Sequence, residues 1–301
     1  MFLYFCLWLF KSLSQMAFYF SNLILQTAVN KNSIKLRKII QLYLIMIFYG
    51  VILTIIGGIL NSNHVLSIKF AIQILENSFS QWFVVIYCIL YLFIPFINRL
   101  LSELSKRELQ TLILINFLFF SLWPTIFTNV TVSDSGYGII NFLLLYLIGY
   151  YIRIYHDNNL KKWMYLVVYI VFAFITSGFS LITGRAWNYN SIFVMISSVA
   201  IFMLFKSINI PHSKLINKVA SYTFMVYLID VNSPFNLFLY RKLFHNNDYW
   251  NSNLMIINMI ISIIGIYVIC LVIEAVRRIL FSRLESYLLS HINYEVKVGS
   301  K

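Results

Sequence analysis

Residues 39–60 read IIQLYLIMIFYGVILTIIGGIL, twenty-two residues without a charged side chain, entered through the basic run KNSIKLRK at 31–38. As a helix rising about 1.5 Å per residue, that run is ~33 Å long, enough to cross a bilayer's hydrocarbon core. A helix also satisfies its own backbone N–H and C=O groups, which lipid cannot do. The rest of the 301-residue chain has the same character: 60% apolar, 11% charged, mean hydropathy +0.80. A soluble domain carries about 25% charged residues, so there is too little polar surface here for a water-exposed globule. That excludes a soluble enzyme and a disordered chain. The fold class expected is all-α, a polytopic helical membrane bundle.

Seven further apolar runs follow, at about 82–98, 111–127, 137–152, 163–182, 191–205, 219–240 and 254–275, which makes eight expected spans. The intervening charges test this map. Segments 31–38, 99–110, 153–162, 206–218 and 276–301 hold 18 of the 23 Lys and Arg residues. The alternate segments 61–81, 128–136, 183–190 and 241–253 hold four, and Lys11 stands apart. Cations are retained on the cytoplasmic side, so the basic turns and the C-terminus are expected inside a cell membrane. The net charge of +13 therefore reads as topology, with no nucleic-acid partner implied. Membrane lipids are the surroundings expected, and the oligomeric state is left open.

The expected organisation is one integral membrane domain over 1–301, with a core at 31–282 and a cytoplasmic tail at 283–301. Residues 1–30 are atypical. An apolar decapeptide is interrupted by Lys11, and the uncharged stretch after it makes either a weak ninth span over 12–30 or a truncated start. The loops average about a dozen residues, so any chemistry must lie among the helices or at their mouths. Cys6, Cys88 and Cys270 sit singly in apolar runs, and neither a metal site nor a disulfide is expected.

An ionisable group inside a span is costly and is a functional candidate. Asp230, in SYTFMVYLIDVNSPF, falls inside or near the end of the seventh span on its outer side, before the breaker Asn232–Ser233–Pro234. It is either a functional carboxylate or an interfacial residue. Arg185 stands between spans beside Trp187 and Tyr189, as interfacial anchor or substrate contact. Glu274 precedes Arg277 and Arg278 at i+3 and i+4, the spacing of a local ion pair easing a helix out of lipid. Arg37 and Lys38 are a topogenic anchor or a grip for an anionic donor. His64, His156, His212, His245 and His291 all fall between spans or in the tail, and the Asn129–Val–Thr131 sequon carries little weight.

Three stretches together resemble the membrane acyltransferase-3 family, which O-acylates surface sugars. They are SQWFVVIYCILYLFIPFINRLL, GYGIINFLLLYLIGYYIRIY, and NYNSIFVMISSVAIFMLFKSINI followed by KLINKVASYTFMVYLID. The resemblance runs from about Ile34 to Phe281. It implies no bound cofactor, acyl-CoA, in particular acetyl-CoA, as co-substrate, and a saccharide or lipid-linked glycan as acceptor. In that reading Arg37 and Lys38 bind the donor, and Trp82, Arg185, Tyr189, Asn190 and Tyr227 line the acceptor mouth. Two departures stand out. No counterpart of the family's first span, with its Arg and catalytic His, is recognised, and the usual His closing Val-Tyr-Leu-Ile-His is Asp230. A carboxylate there is an orienting group or a weak base. The expected function is O-acetylation of a cell-surface or capsular polysaccharide, with an inert copy or a transporter of lipid-linked glycan as alternatives.

Overall fold

The computed structural model describes residues 33–61, 67–127, 134–155, 160–208, 213, 222–249, 252–292 and 294–297. The proposed weak span at 12–30, Lys11, Cys6, His64, His156, His212 and the Asn129 sequon lie outside them. Apart from two three-residue strands, Ser33–Lys35 and Glu295–Lys297, every regular element among the described residues is helical. Among the described residues, six helical stretches are long and apolar enough to cross a membrane: Leu36–Leu60, Ile68–Glu103, Lys106–Ile126, Lys162–Ser180, Gly184–Ser207 and Met255–Ser290. Ile139–Tyr155 is apolar but shorter. An all-α membrane protein is therefore what the chain builds. The two expected spans without a full-length helix are 137–152 and 219–240, the latter for reasons given below.

The chain forms two compact units, one from residues 35–85 and 211–296, the other centred on residues 86–210. The first is organised on α1 (Leu36–Leu60). Two glycines on α1 admit neighbouring backbones. A Cβ on Gly50 would lie 2.4 Å from Ser78 Cα, and one on Gly57 would lie 2.5 Å from the Phe235 nitrogen. The backbone at Gly50 belongs to α2 (Ile68–Phe79), whose first turn is capped by Ser67 Oγ accepting from the Phe70 N–H.

Helix α2 corrects an expectation, since 61–81 read as an outer loop. Its apolar residues Ile68, Ile72, Leu75 and Phe79 recur at helical spacing and are all exposed, the stripe of a helix that faces lipid. The chain breaks at Ser80–Gln81 and resumes as α3 (Trp82–Glu103).

The expected span 219–240 is discontinuous. Helix α9 (Thr223–Val231) ends at Asn232, whose Oδ1 then caps α10 (Ser233–Leu237) by accepting from the Phe235 N–H. Pro234 stands in the first turn of α10, where a missing N–H costs nothing. A π-helical turn, Phe238–Leu243, follows. Helix α11 (Met255–Ser290) is 36 residues long, about 54 Å, and continues to Ser290 where the sequence reading placed a tail from 283.

The second unit holds the rest of α3, α4 (Lys106–Phe117), α5 (Trp123–Ile126), α6 (Ile139–Tyr155), α7 (Lys162–Ser180) and α8 (Ile192–Ser207). Ser105 and Glu108 form a capping box at the start of α4. A π turn at Leu118–Leu122 leads into α5. Thr125 Oγ1 then accepts the Ile192 N–H at 3.1 Å, capping α8 from a distant part of the chain. Inside this unit the Tyr146 hydroxyl donates to Asn98 Oδ1 at 2.5 Å, both residues buried.

Candidate functional site

Polar contacts occur along the whole length of α1, on more than one of its faces. Lys35 pairs with Glu295 at 3.8 Å. Gln41 Nε2 donates to Glu285 Oε1 at 2.8 Å, and the Tyr49 hydroxyl donates to Glu274 Oε2 at 2.6 Å. Thr54 Oγ1 accepts from Asn77 Nδ2 at 2.9 Å and from Asn232 Nδ2 at 3.0 Å. Asn61 Nδ2 donates to the Pro234 carbonyl at 2.6 Å. In lipid each of these groups would be expensive alone, so each must find a partner on a neighbouring helix.

The central node is Glu274, whose side chain has no exposure. Its Oε2 accepts from Tyr49 and from Arg277 Nε at 2.7 Å. Its Oε1 accepts from Arg277 Nη2 at 3.0 Å and from Arg278 Nε at 2.6 Å. Arg277 is also buried, and its Nη1 donates to Glu285 Oε2 at 3.1 Å. The Arg277 guanidinium lies 6.0 Å from the Phe48 ring centre and the Arg278 guanidinium 4.2 Å from that of Tyr222. The local i+3 and i+4 ion pairs expected from the sequence are present. The placement is a correction, because Glu274 was read as sitting at a helix exit. Tyr49 lies thirteen residues from Leu36 and eleven from Leu60, about 20 and 17 Å along the axis, so the carboxylate is level with the middle of α1 and sixteen residues inside α11. A charge cluster at that depth marks a functional site by default.

Asp230 lies in the last turn of α9, half-buried. It accepts from the Tyr240 hydroxyl at 3.1 Å, while Asn236 Nδ2 donates to its backbone carbonyl at 2.5 Å. A carboxylate at a helix C-terminus opposes the helix dipole, and these two donors offset that. Tyr227 lies one turn earlier on α9, its ring edge-on to Phe83 at 5.5 Å, and Phe83 in turn abuts Trp82. Phe83 thus links Tyr227 to the start of α3, where Trp82 stands. Trp82 follows closely on Ser78, the residue packed against Gly50, so it stands nearer the middle of α1 than its Leu60 end. Arg37 and Lys38 are exposed in the first turn of α1, on the face that continues through Gln41.

The remaining predicted acceptor residues belong to the other unit. Arg185 Nε donates to Thr183 Oγ1 at 3.2 Å, and its Nη1 is buried without a hydrogen-bond partner among the described residues. Tyr189 is buried edge-on to Tyr137, and its N–H donates to the Ser135 carbonyl. Asn190 Nδ2 donates to the Phe120 carbonyl at 2.9 Å. The turn beneath them uses Gly136 at φ +85°, where a Cβ would lie 2.3 Å from the Asn190 nitrogen. Of the described histidines, His245 pairs with Asp248 on the surface and His291 accepts or donates locally at the end of α11. Cys88 and Cys270 are buried and unpaired, and no metal-holding group occurs among the described residues.

The acyltransferase-3 family model, described as an acyltransferase domain, matches residues 3–275. The chain belongs to that membrane acyltransferase family. The match takes in residues 3–33, which the sequence reading had left outside the resemblance. No curated protein and no solved structure matches the chain.

Proposed function

We propose that this protein is an integral membrane O-acyltransferase that acetylates a cell-surface or capsular polysaccharide, drawing on acyl-CoA at the cytoplasmic face of the cell membrane. The observation that carries the reading is a family match spanning most of the chain, joined to a buried ion cluster around Glu274 beside a helix with an exposed basic end. In this scheme the C-terminus is cytoplasmic and Arg37 and Lys38 meet the donor's phosphates. Trp82 and Tyr227 offer aromatic faces to the sugar's CH surfaces, and Asp230 orients the reacting hydroxyl. The hydroxyl oxygen attacks the thioester carbonyl carbon, the C–S bond breaks, and the thiol departs with the hydroxyl's proton.

The test is transfer of labelled acetyl from acetyl-CoA to the glycan by purified protein in lipid. Labelled ester on the glycan supports the reading. Unmodified glycan crossing the bilayer identifies a transporter instead, and neither event points to an inert copy.

A further inference from the structure

We infer that Tyr240 is a positioning residue for Asp230, and that the break between α9 and α10 serves to bring the two together. The inference rests on the acyltransferase reading made above, in which Asp230 orients the reacting hydroxyl.

The first observation is a distance that a straight helix could not give. Asp230 and Tyr240 stand ten residues apart, a separation of about 15 Å along one continuous helix. The Tyr240 hydroxyl instead donates to Asp230 Oδ1 at 3.1 Å. The chain turns at Asn232, whose backbone is extended (φ −72°, ψ 101°), and α10 starts afresh from it. Asn236 lies four residues before Tyr240, the spacing of neighbours on one helix face. Its Nδ2 donates to the Asp230 carbonyl at 2.5 Å and reaches Oδ1 at 3.5 Å.

The second observation is that this returning arm is fastened to α1 on both sides of Tyr240. Before it, Asn232 Nδ2 donates to Thr54 Oγ1, and the Pro234 carbonyl accepts from Asn61 Nδ2. After it, Lys242 Nζ donates to the Leu60 carbonyl at 2.7 Å. Tyr240 itself sits in the π turn Phe238–Leu243, a form that recurs at functional sites because the wider turn re-aims side chains. The hydroxyl therefore approaches Asp230 from a fixed direction, the support that a working side chain needs to keep one orientation.

The third observation is the charge. A carboxylate in the last turn of α9 opposes the helix dipole, and a helix end alone would be served better by a neutral residue. An ionisable group retained at such a place marks function. Tyr240 acts through that group, fixing the rotation of its carboxylate toward the acceptor hydroxyl.

The experiment measures labelled acetyl transfer from acetyl-CoA to the glycan by the full chain in lipid. Tyr240→Phe should lower kcat by roughly 3- to 10-fold, the cost of letting the carboxylate turn out of line, and leave KM for donor and acceptor within about twofold. In an Asp230→Asn background the same change should cost less than about twofold, because the two residues act as one unit. Asn236→Ala should lower kcat likewise and be equally silent in that background. Arg241→Gln, an exposed neighbour in the same turn, should change nothing. An unchanged kcat for Tyr240→Phe, a raised KM alone, or losses that multiply with those of Asp230→Asn overturn the inference. So do Tyr240→Phe and Asn236→Ala chains that both fail to fold, and Asp230→Asn with full kcat. Wild-type protein that transfers no acetyl overturns the acyltransferase reading itself.

Discussion

Glu274 is the residue on which most of the buried polar structure depends. Replacing it with Ala leaves two guanidiniums inside a helical unit without their shared carboxylate, a change that costs about 3–5 kcal/mol when a buried pair is broken. Thermal unfolding in detergent should show a large drop in midpoint for Glu274→Ala and a smaller one for Glu274→Gln, which still accepts from Tyr49. A double-mutant cycle of Tyr49→Phe with Glu274→Gln should give a coupling of about 0.5–3 kcal/mol, and additivity within error would show that the hydroxyl does not serve the carboxylate. Asp230 is different in kind, being half-buried and held by Tyr240 and Asn236. Asp230→Asn keeps both contacts and removes the charge. It should preserve the unfolding midpoint and lower kcat for acetyl transfer by about tenfold or more, while an unchanged kcat would reduce Asp230 to a helix-end residue. The ion pairing of Glu274 was legible in the sequence because its partners stand three and four residues away. Tyr49, 225 residues distant, was not, since no local pattern links a tyrosine in one apolar run to a glutamate in another.

Long helices announced themselves through uninterrupted apolar runs, and their ends did so less well. Helices α1, α3, α7 and α8 start within a few residues of their expected positions. Helix α2 was hidden because Lys69, Gln73 and Glu76 dilute its apolar stripe to the polarity of a loop. The break in α9–α10 was signalled by Asn232–Ser233–Pro234, whereas the overrun of α11 to Ser290 was masked by arginines that resembled a membrane exit. The contacts of α1 with α2 and α10 depend on two missing side chains, which gives a direct test. Gly57→Val drives a Cβ into the Phe235 backbone and should displace α10, lowering the yield of monodisperse protein. Gly178→Ala in α7, where nothing lies within 4 Å of the added carbon, should be neutral or raise stability by up to about 1 kcal/mol through helix propensity. Equal behaviour of the two variants would mean that α1 and α10 do not touch.

For the molecule as a whole, membrane residence and family followed from composition and three spaced motifs, and sidedness rests on the alternation of basic segments. A cysteine at Ser102, in the last turn of α3, should react only with reagent reaching the cytoplasmic face, and one at Ile182, after α7, only with reagent outside. Both positions are exposed, so the reverse pattern would invert the donor and acceptor doors. The long-range polar contacts of α1 also set a timetable for biosynthesis. Gln41 and Tyr49 find Glu285 and Glu274 only after 244 and 225 further residues have been added, roughly 10–50 s at ordinary ribosomal speeds. Throughout that interval the earliest described helix sits in the bilayer with Gln41 and Tyr49 still without these partners. Nascent chains stalled before the final helix are thus left with a recognisable flaw, one that insertion chaperones and intramembrane proteases are placed to read.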